Sequence, residues 1–453
     1  MEKTQIRDFT RGNITAQLLT FAWPLFLSNL LQVVYNMVDM IIVGNHLGKV
    51  GISAVSVGGD VSHFLTFVAM GFSSAGQVII ARLIGSGQRV KLGRFVGTMS
   101  GFLLLCAAGL SVLGFACREV ILRLMNTPPE AFAGALAYSV ICMAGLVFIY
   151  GYNIVSAVLR GMGDSKHPFV FISIAAVLNL ILDILFVVTL EMGPGGAALA
   201  TVLSQGVSFV SCAVFLILRR QEFELDMRTA DFVCWDHAML LDLIRLGLPM
   251  AIKSASIQIS KLFVNSWINS YGIAVSAFAG IANKVSSIAN LVSNAMNTAG
   301  STITGQNIAA GKFDRVKKIL LCLAAITLSI AGLFSLVIIL FPTVVFGIFT
   351  SDQAVLSIAG GYIPIAVLLF AGAALRSVMN ALINGSGNYK INFVTAILDG
   401  IVMRIGLAVL FGLALNMKHY GFWLGDALAG FTPFWIGLVY YLTGWWKKAK
   451  VNP

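Results

Sequence analysis

Residues 75–88 read AGQVIIARLIGSGQ, and 224 positions later residues 299–312 read AGSTITGQNIAAGK, so that Gly76 and Gly87 recur as Gly300 and Gly311. The same displacement carries RGMGDSKHPF (160–169) onto NGSGNYKINF (384–393), matching Gly161 with Gly385, Gly163 with Gly387 and Lys166 with Lys390. One displacement serving two separated motifs is the mark of an internal repeat. Pro24, in FAWPLFLSN, has a counterpart in Pro249 of LGLPMAIKS, one residue off that register.

What the repeated unit is made of follows from composition. Of 453 residues, 58% are apolar and 11% charged, against roughly 25% charged in a soluble domain. With a mean hydropathy of +0.90, apolar residues are too many to confine to one core, and most helices must be apolar all round. Apolar runs lie near 14–44, 52–80, 95–117, 131–157, 168–190 and 196–218, and again near 240–268, 273–304, 318–341, 355–383, 391–414 and 421–446. Each is long enough for a membrane span of about 20 residues. The expected fold is therefore an all-α integral membrane protein, with twelve transmembrane helices in two pseudo-symmetric six-helix bundles. Residues 1–218 form the N-lobe, 219–239 a cytoplasmic linker and 240–453 the C-lobe. Six spans return the chain to its starting side, so the halves are parallel repeats about an axis along the membrane normal.

Lys and Arg placement orients the bundle, because basic loops next to spans stay in the cytoplasm. Of the 30 basic residues, 21 fall on the side of the termini and the linker. The opposite side holds Lys49, Arg118, Arg123 and Lys418, and five lie inside spans. Both termini are expected in the cytoplasm, with no removable signal peptide. The same bias accounts for the net charge of +11 without a nucleic-acid partner. Short loops leave no room for a soluble catalytic domain, and the chain has no Walker A sequence, dinucleotide fingerprint or catalytic triad. It does not read as an enzyme or an ATP-driven pump, and no cofactor is expected. Cys106, Cys117, Cys142, Cys212, Cys234 and Cys322 are scattered through apolar runs as small fillers, and the five histidines have no metal-ligand spacing.

Ionisable groups at membrane depth are costly and mark candidate sites. Ser28, Gln32, Tyr35 and Asp39 share one helical face, as do Asn179 and Asp183. Thr201, Ser204, Gln205 and Ser208 make a third polar stripe. Two readings stand for Asp39 and Asp183: pairing with donors across a helix interface, or a site where oxygen ligands hold a monovalent cation or a shared proton. Desolvation and a like neighbour both disfavour a second negative charge, which suits such a pair to proton exchange. The second half differs in charge. Its spans carry Lys253, Lys261, Lys284, Arg376 and Arg404, with Asp399 as the principal acid. Lys253 and Lys261, eight apart, lie within about 80° on a helical wheel. These cations either serve as structural counter-charges or line a cavity that attracts anionic groups. Pro24 cannot donate to Thr20 and is expected to kink the first span.

FAWPLFLSNLLQVVYNMVDMIIVGNHLG (21–48), RGMGDSKHP (160–168), LNLILDILFV (178–187), GGAALATVLSQ (195–205) and their echoes after residue 240 resemble the multidrug and toxic compound extrusion (MATE) family over essentially the whole chain. The resemblance is greatest to the prokaryotic DinF-like and MepA-like members. It implies a monomeric antiporter of the prokaryotic inner membrane that exports small amphipathic, often cationic compounds against Na+ or H+ entry by alternating access, with membrane lipids as its surroundings. Carried over residue by residue, it puts the cation or proton site, including a possible Na+, on Asp39, Asn179, Asp183 and Thr201. It also puts N-lobe cavity positions at Gln32, Tyr35 and Asn153, and a bending proline at Pro24. NorM-like members have functional carboxylates on helices seven and ten. Here those spans offer Lys253, Lys261 and Arg376 instead, so coupling is expected through the N-lobe. A lipid or lipid-linked oligosaccharide flippase of the same superfamily is the alternative, supported by the cationic C-lobe.

Overall fold

The computed structural model describes residues 5–226, 229–233 and 235–448; Cys234 lies outside them. Ile14–Gly85 (α1) runs for 72 residues and breaks at Gly48, where φ 63° and ψ −161° suit only a residue without a Cβ. It therefore supplies the first two spans. Leu92–Leu124 (α2) is the third. Pro129–Ala144 (α3) and Leu146–Gly161 (α4), bent by 49°, form the fourth. Lys166–Asp183 (α5) and Gly193–Leu218 (α6) complete the first half.

The second half runs through His237–Asn269 (α7), Ile273–Ala309 (α8), Phe313–Leu340 (α9), the short Pro342–Gly347 (α10) and Gln353–Leu356 (α11), and Ala359–Gly385 (α12). Tyr389–Ile397 (α13), Met403–Val409 (α14), Lys418–Ala429 (α15) and Thr432–Leu442 (α16) end it. Among the described residues, nine helices are long and apolar enough to cross a bilayer, ten with the bent pair taken as one. Taking α1 as two spans and adding α7, whose apolar run Lys253 and Lys261 interrupt, recovers the twelve runs of the sequence. The chain is a multi-pass membrane protein. Large apolar side chains such as Leu105, Val112, Leu113, Leu321 and Leu333 stand exposed on helix faces, where hydrocarbon is the solvent that suits them.

The repeat is written into the packing. A Cβ on Gly76 would sit 2.0 Å from Met99 Sδ, and one on Gly300 2.7 Å from Leu323 Cδ1; Met99 and Leu323 are themselves 224 apart. A Cβ on Gly161 would come within 2.9 Å of the Gln77 carbonyl, and one on Gly385 within 2.9 Å of the Ser301 carbonyl, again the same displacement. Small residues let helix backbones approach closely where apolar burial gives no drive toward association.

The chain forms two compact units, Met1–Arg7 with Leu27–Leu248, and Asp8–Phe26 with Pro249–Pro453. This division differs from the expected linear one at 218 and 240: the opening segment belongs with the second half, and the linker and the first turns of α7 belong with the first half. In the second unit Phe9, Leu18, Phe21 and Leu25 are buried with Ile303, Leu323, Leu382 and Trp446. The Gln306 side chain accepts from the Phe9 N–H at 2.9 Å, and Arg315 donates to the Phe9 and Arg11 carbonyls. In the first unit Arg94 pairs with Asp236 at 3.3 Å, and Gly97 and Gly101 leave room for Asp231 and Phe232. The chain thus crosses between units three times, after Arg7, two residues after Pro24 and immediately before Pro249.

Candidate functional site

In the first unit, three helices bring the N-lobe polar residues together. The second half of the first span carries Asp39, partly buried, with Tyr35 one turn earlier on the same face. α5 brings Asn179 and Asp183, 3% and 1% exposed. Directly after Asp183 the helix widens into a π-turn, Ile184–Thr189, the kind of local rewinding that re-aims side chains. α6 brings Thr201 and Gln205.

Asp39 and Asp183 face one another and interact directly. Tyr35 bonds to Gln205 and lies in the field of Asp39. Tyr138 of α3 bonds to Thr201 and lies in the fields of both carboxylates. Thr201 Oγ1 also donates to the Ala197 carbonyl of its own helix at 3.0 Å. Asp39 Oδ1, both oxygens of Asp183 and the Asn179 amide nitrogen meet no hydrogen-bond partner among the described residues. Buried polar atoms are nearly always satisfied, so these unsatisfied oxygens make Asp39 and Asp183 the candidate place for a proton or a small cation. The oxygens of Asp39, Asp183, Asn179 and Thr201 are hard donors that fit a monovalent ion. Among the described residues no cluster of three or more His, Cys, Asp or Glu exists that could hold a multivalent metal.

Two further N-lobe candidates sit on α4 and α1. The Asn153 amide donates to the Ile149 carbonyl of its own helix at 2.8 Å, and Gln32 is partly buried one turn before Tyr35. Pro24 lies in the stretch, residues 8–26, that packs with the second unit. α1 runs through it, the only non-helical backbone in the helix being at Gly48.

The second unit holds a different constellation. Asp399, fully buried, sits in its own π-turn, Leu398–Val402. Arg404 of α14, 2% exposed, pairs with Asp399 at 3.1 Å and with Asp426 of α15 at close range. Lys253 donates to the Asn380 carboxamide at 2.8 Å and reaches Asp399 only at 4.0 Å. Arg376 donates to the Asn290 carboxamide at 2.7 Å. Lys261 feels Asp426, Arg404 and Arg376, while Lys284 is exposed on α8. Sequence reasoning missed Asp426 and Tyr138. An acid inside the apolar run 421–446 was the signal for the first, and a phenol amid Ala, Val and Ile for the second.

Two units of repeated build, each burying ionisable side chains among apolar helices, are the pattern of a membrane transporter built from repeats. The MatE family model matches residues 24–185 and 249–410, and the chain belongs to that family. It is 28% identical over 444 residues to the probable multidrug resistance protein YpnP of Bacillus subtilis, covering 98% of each chain. Two solved structures share its fold at 23% identity and full coverage of both chains. One is described as the outward-facing conformation of a multidrug resistance MATE family transporter, at a TM-score of 0.89. The other is described as a MOP superfamily transporter from Pyrococcus furiosus with reverse polarity of its binding pocket, at 0.88.

Proposed function

We propose that the protein is a secondary antiporter of a prokaryotic cytoplasmic membrane, with both termini inside, exporting amphipathic, often cationic compounds in exchange for Na+ or H+. The observation that carries this reading is the Asp39–Asp183 pair, in which Asp39 Oδ1 and both Asp183 oxygens meet no donor among the described residues. Ion occupancy at Asp39, Asn179, Asp183 and Thr201 and substrate occupancy favour different lobe arrangements, and exchange follows from that difference in affinity. Gln32, Tyr35 and Asn153 are the N-lobe contacts for substrate. One charge moving through 100 mV supplies about 2.3 kcal/mol, enough for a drug gradient of roughly fiftyfold. The protein works as a monomer, since each chain carries both repeats. Pro24 and Pro249, next to two of the points where the chain passes from one unit to the other, act as its hinges.

The test is efflux from proteoliposomes under separately imposed sodium, proton and voltage gradients. Asp39→Asn and Asp183→Asn keep shape and remove charge, so each is expected to retain substrate binding in detergent and to lose gradient-driven export. Wild-type export by both variants under every gradient would make the pair structural and overturn the mechanism. Pro24→Ala should slow transport while ion binding persists. For orientation, a cysteine at Gly87 in a cysteine-free background should resist an impermeant thiol reagent in intact cells, and one at Asp352 should react. The flippase reading keeps one support, the cationic interior of the C-lobe.

A further inference from the structure

The second unit buries more positive charge than it can balance from within. Lys253, Lys261, Arg376 and Arg404 bring four cations to one region, and Asp399 and Asp426 are its two carboxylates. Both carboxylates are engaged by Arg404. That leaves Arg376 on a neutral carboxamide and Lys253 on another, with Asp399 at the edge of ion-pair range. Lys261 makes no ion pair within 4.0 Å among the described residues. Carboxamide oxygens orient a cation without cancelling its charge, and uncompensated charge in a low-dielectric interior is costly.

The arrangement is also layered. Asp399 and Arg404 are closed off, at 0% and 2% exposed, whereas Lys253 keeps 16% of its side chain open and Lys261 and Arg376 are partly exposed. The closed pair is held by its own ion pairing, and the three cations that keep some exposure are the ones open to an outside group. Two ammonium groups and one guanidinium fork are suited to an oxyanion, the fork giving directional bonds and the lysines point charges.

We propose that this cluster is an anion-binding site, taking a carboxylate, phosphate or sulfonate group through Lys253, Lys261 and Arg376. The substrate range of the protein then includes compounds bearing such a group, whether free amphiphiles or lipid headgroups. The proposal is independent of the coupling role given to Asp39 and Asp183, and its test uses binding without any gradient.

Wild-type protein in phosphatidylcholine nanodiscs is titrated with carboxyfluorescein and with rhodamine 6G, two dyes of related ring system and opposite charge, by fluorescence anisotropy. Arg376→Gln and Lys261→Gln are each expected to weaken carboxyfluorescein binding about tenfold, the loss of one charge-assisted contact, and to leave rhodamine 6G affinity unchanged. Lys261→Arg, which keeps the charge, should bind as the wild type does. Should Arg376→Gln fail to fold, Lys261→Gln with its Lys261→Arg control decides the matter alone. Pyrophosphate displacing the dye identifies free anions as occupants; nanodiscs containing phosphatidylglycerol that weaken dye binding to the wild type but not to Lys261→Gln identify headgroups. The proposal is overturned if the wild type does not bind carboxyfluorescein, or if folded Lys261→Gln and Arg376→Gln bind it unchanged. Neither result touches the reading of the N-lobe carboxylates, which export assays decide separately.

Discussion

The two halves of this molecule share a packing plan and differ in their buried chemistry. Gly76 against Met99 is repeated as Gly300 against Leu323, and Gly161 against the Gln77 carbonyl as Gly385 against the Ser301 carbonyl. At those contacts a backbone has to pass close to its neighbour, and the requirement is the same in both copies. Inside, the first unit holds two carboxylates that face each other, Asp39 Oδ1 and both Asp183 oxygens meeting no donor among the described residues, while the second holds an arginine between two carboxylates with further cations around it. Close helix packing constrains only small residues at particular positions, so a repeat can keep its architecture while its polar interior is rewritten. Around Asp39 and Asp183 the interacting buried groups are acids and phenols, and around Arg404 they are mostly cations.

The largest effect should come from removing the C-lobe anchor. Arg404→Met strands Asp399 and Asp426 in the interior, and breaking a buried pair from one side costs about 3–5 kcal/mol. Thermal unfolding in detergent should register that as loss of most of the folded population. Asp183→Asn, at a residue buried just as deeply, should change stability little, because no partner loses its counter-charge; equal destabilisation by the two would erase the contrast between the units.

A second group of variants tests the shared plan. Gly161→Ala and Gly385→Ala each push a methyl toward a backbone carbonyl, and overpacking of this kind costs about 1–3 kcal/mol. The two should lower the melting temperature by similar amounts, and a large difference would mean that the repeat is not mechanically equivalent in both halves. The smallest effect is expected at the rim of the first unit, where Arg89 meets Glu224 at 2.8 Å with both side chains about a third exposed. Arg89→Gln should cost less than about 1 kcal/mol, and raising the salt concentration should hide it.

Much of this was legible in the sequence for a physical reason. Span-length apolar runs and glycines at fixed spacing report the solvent and the close helix contacts, both of which act locally, so the repeat and the helices could be read directly. Asp39, Asn179 and Asp183 stood out because a carboxylate or carboxamide in an apolar run is conspicuous one residue at a time. Tyr138 and Asp426 did not, since their roles come from neighbours on other helices: Tyr138 from Thr201, Asp426 from Arg404. The unit boundary was hidden as well. Composition marks 219–239 as a linker, but nothing local says that residues 8–26 pack against Ile303 and Trp446.

That exchange of segments bears on how the chain is made. The opening helix leaves the ribosome long before the residues it will pack against in its own unit exist. Elongation at about 5–20 residues per second leaves Leu18 and Phe21 waiting some tens of seconds for Ile303 and Leu382. The first unit is complete once residue 248 is made, whereas the second must wait, because it is assembled from an early segment and the last part of the chain to be synthesised. Severing the chain within 219–239 would yield two pieces, each holding a segment that belongs to the other, and only co-expression would let both units be completed.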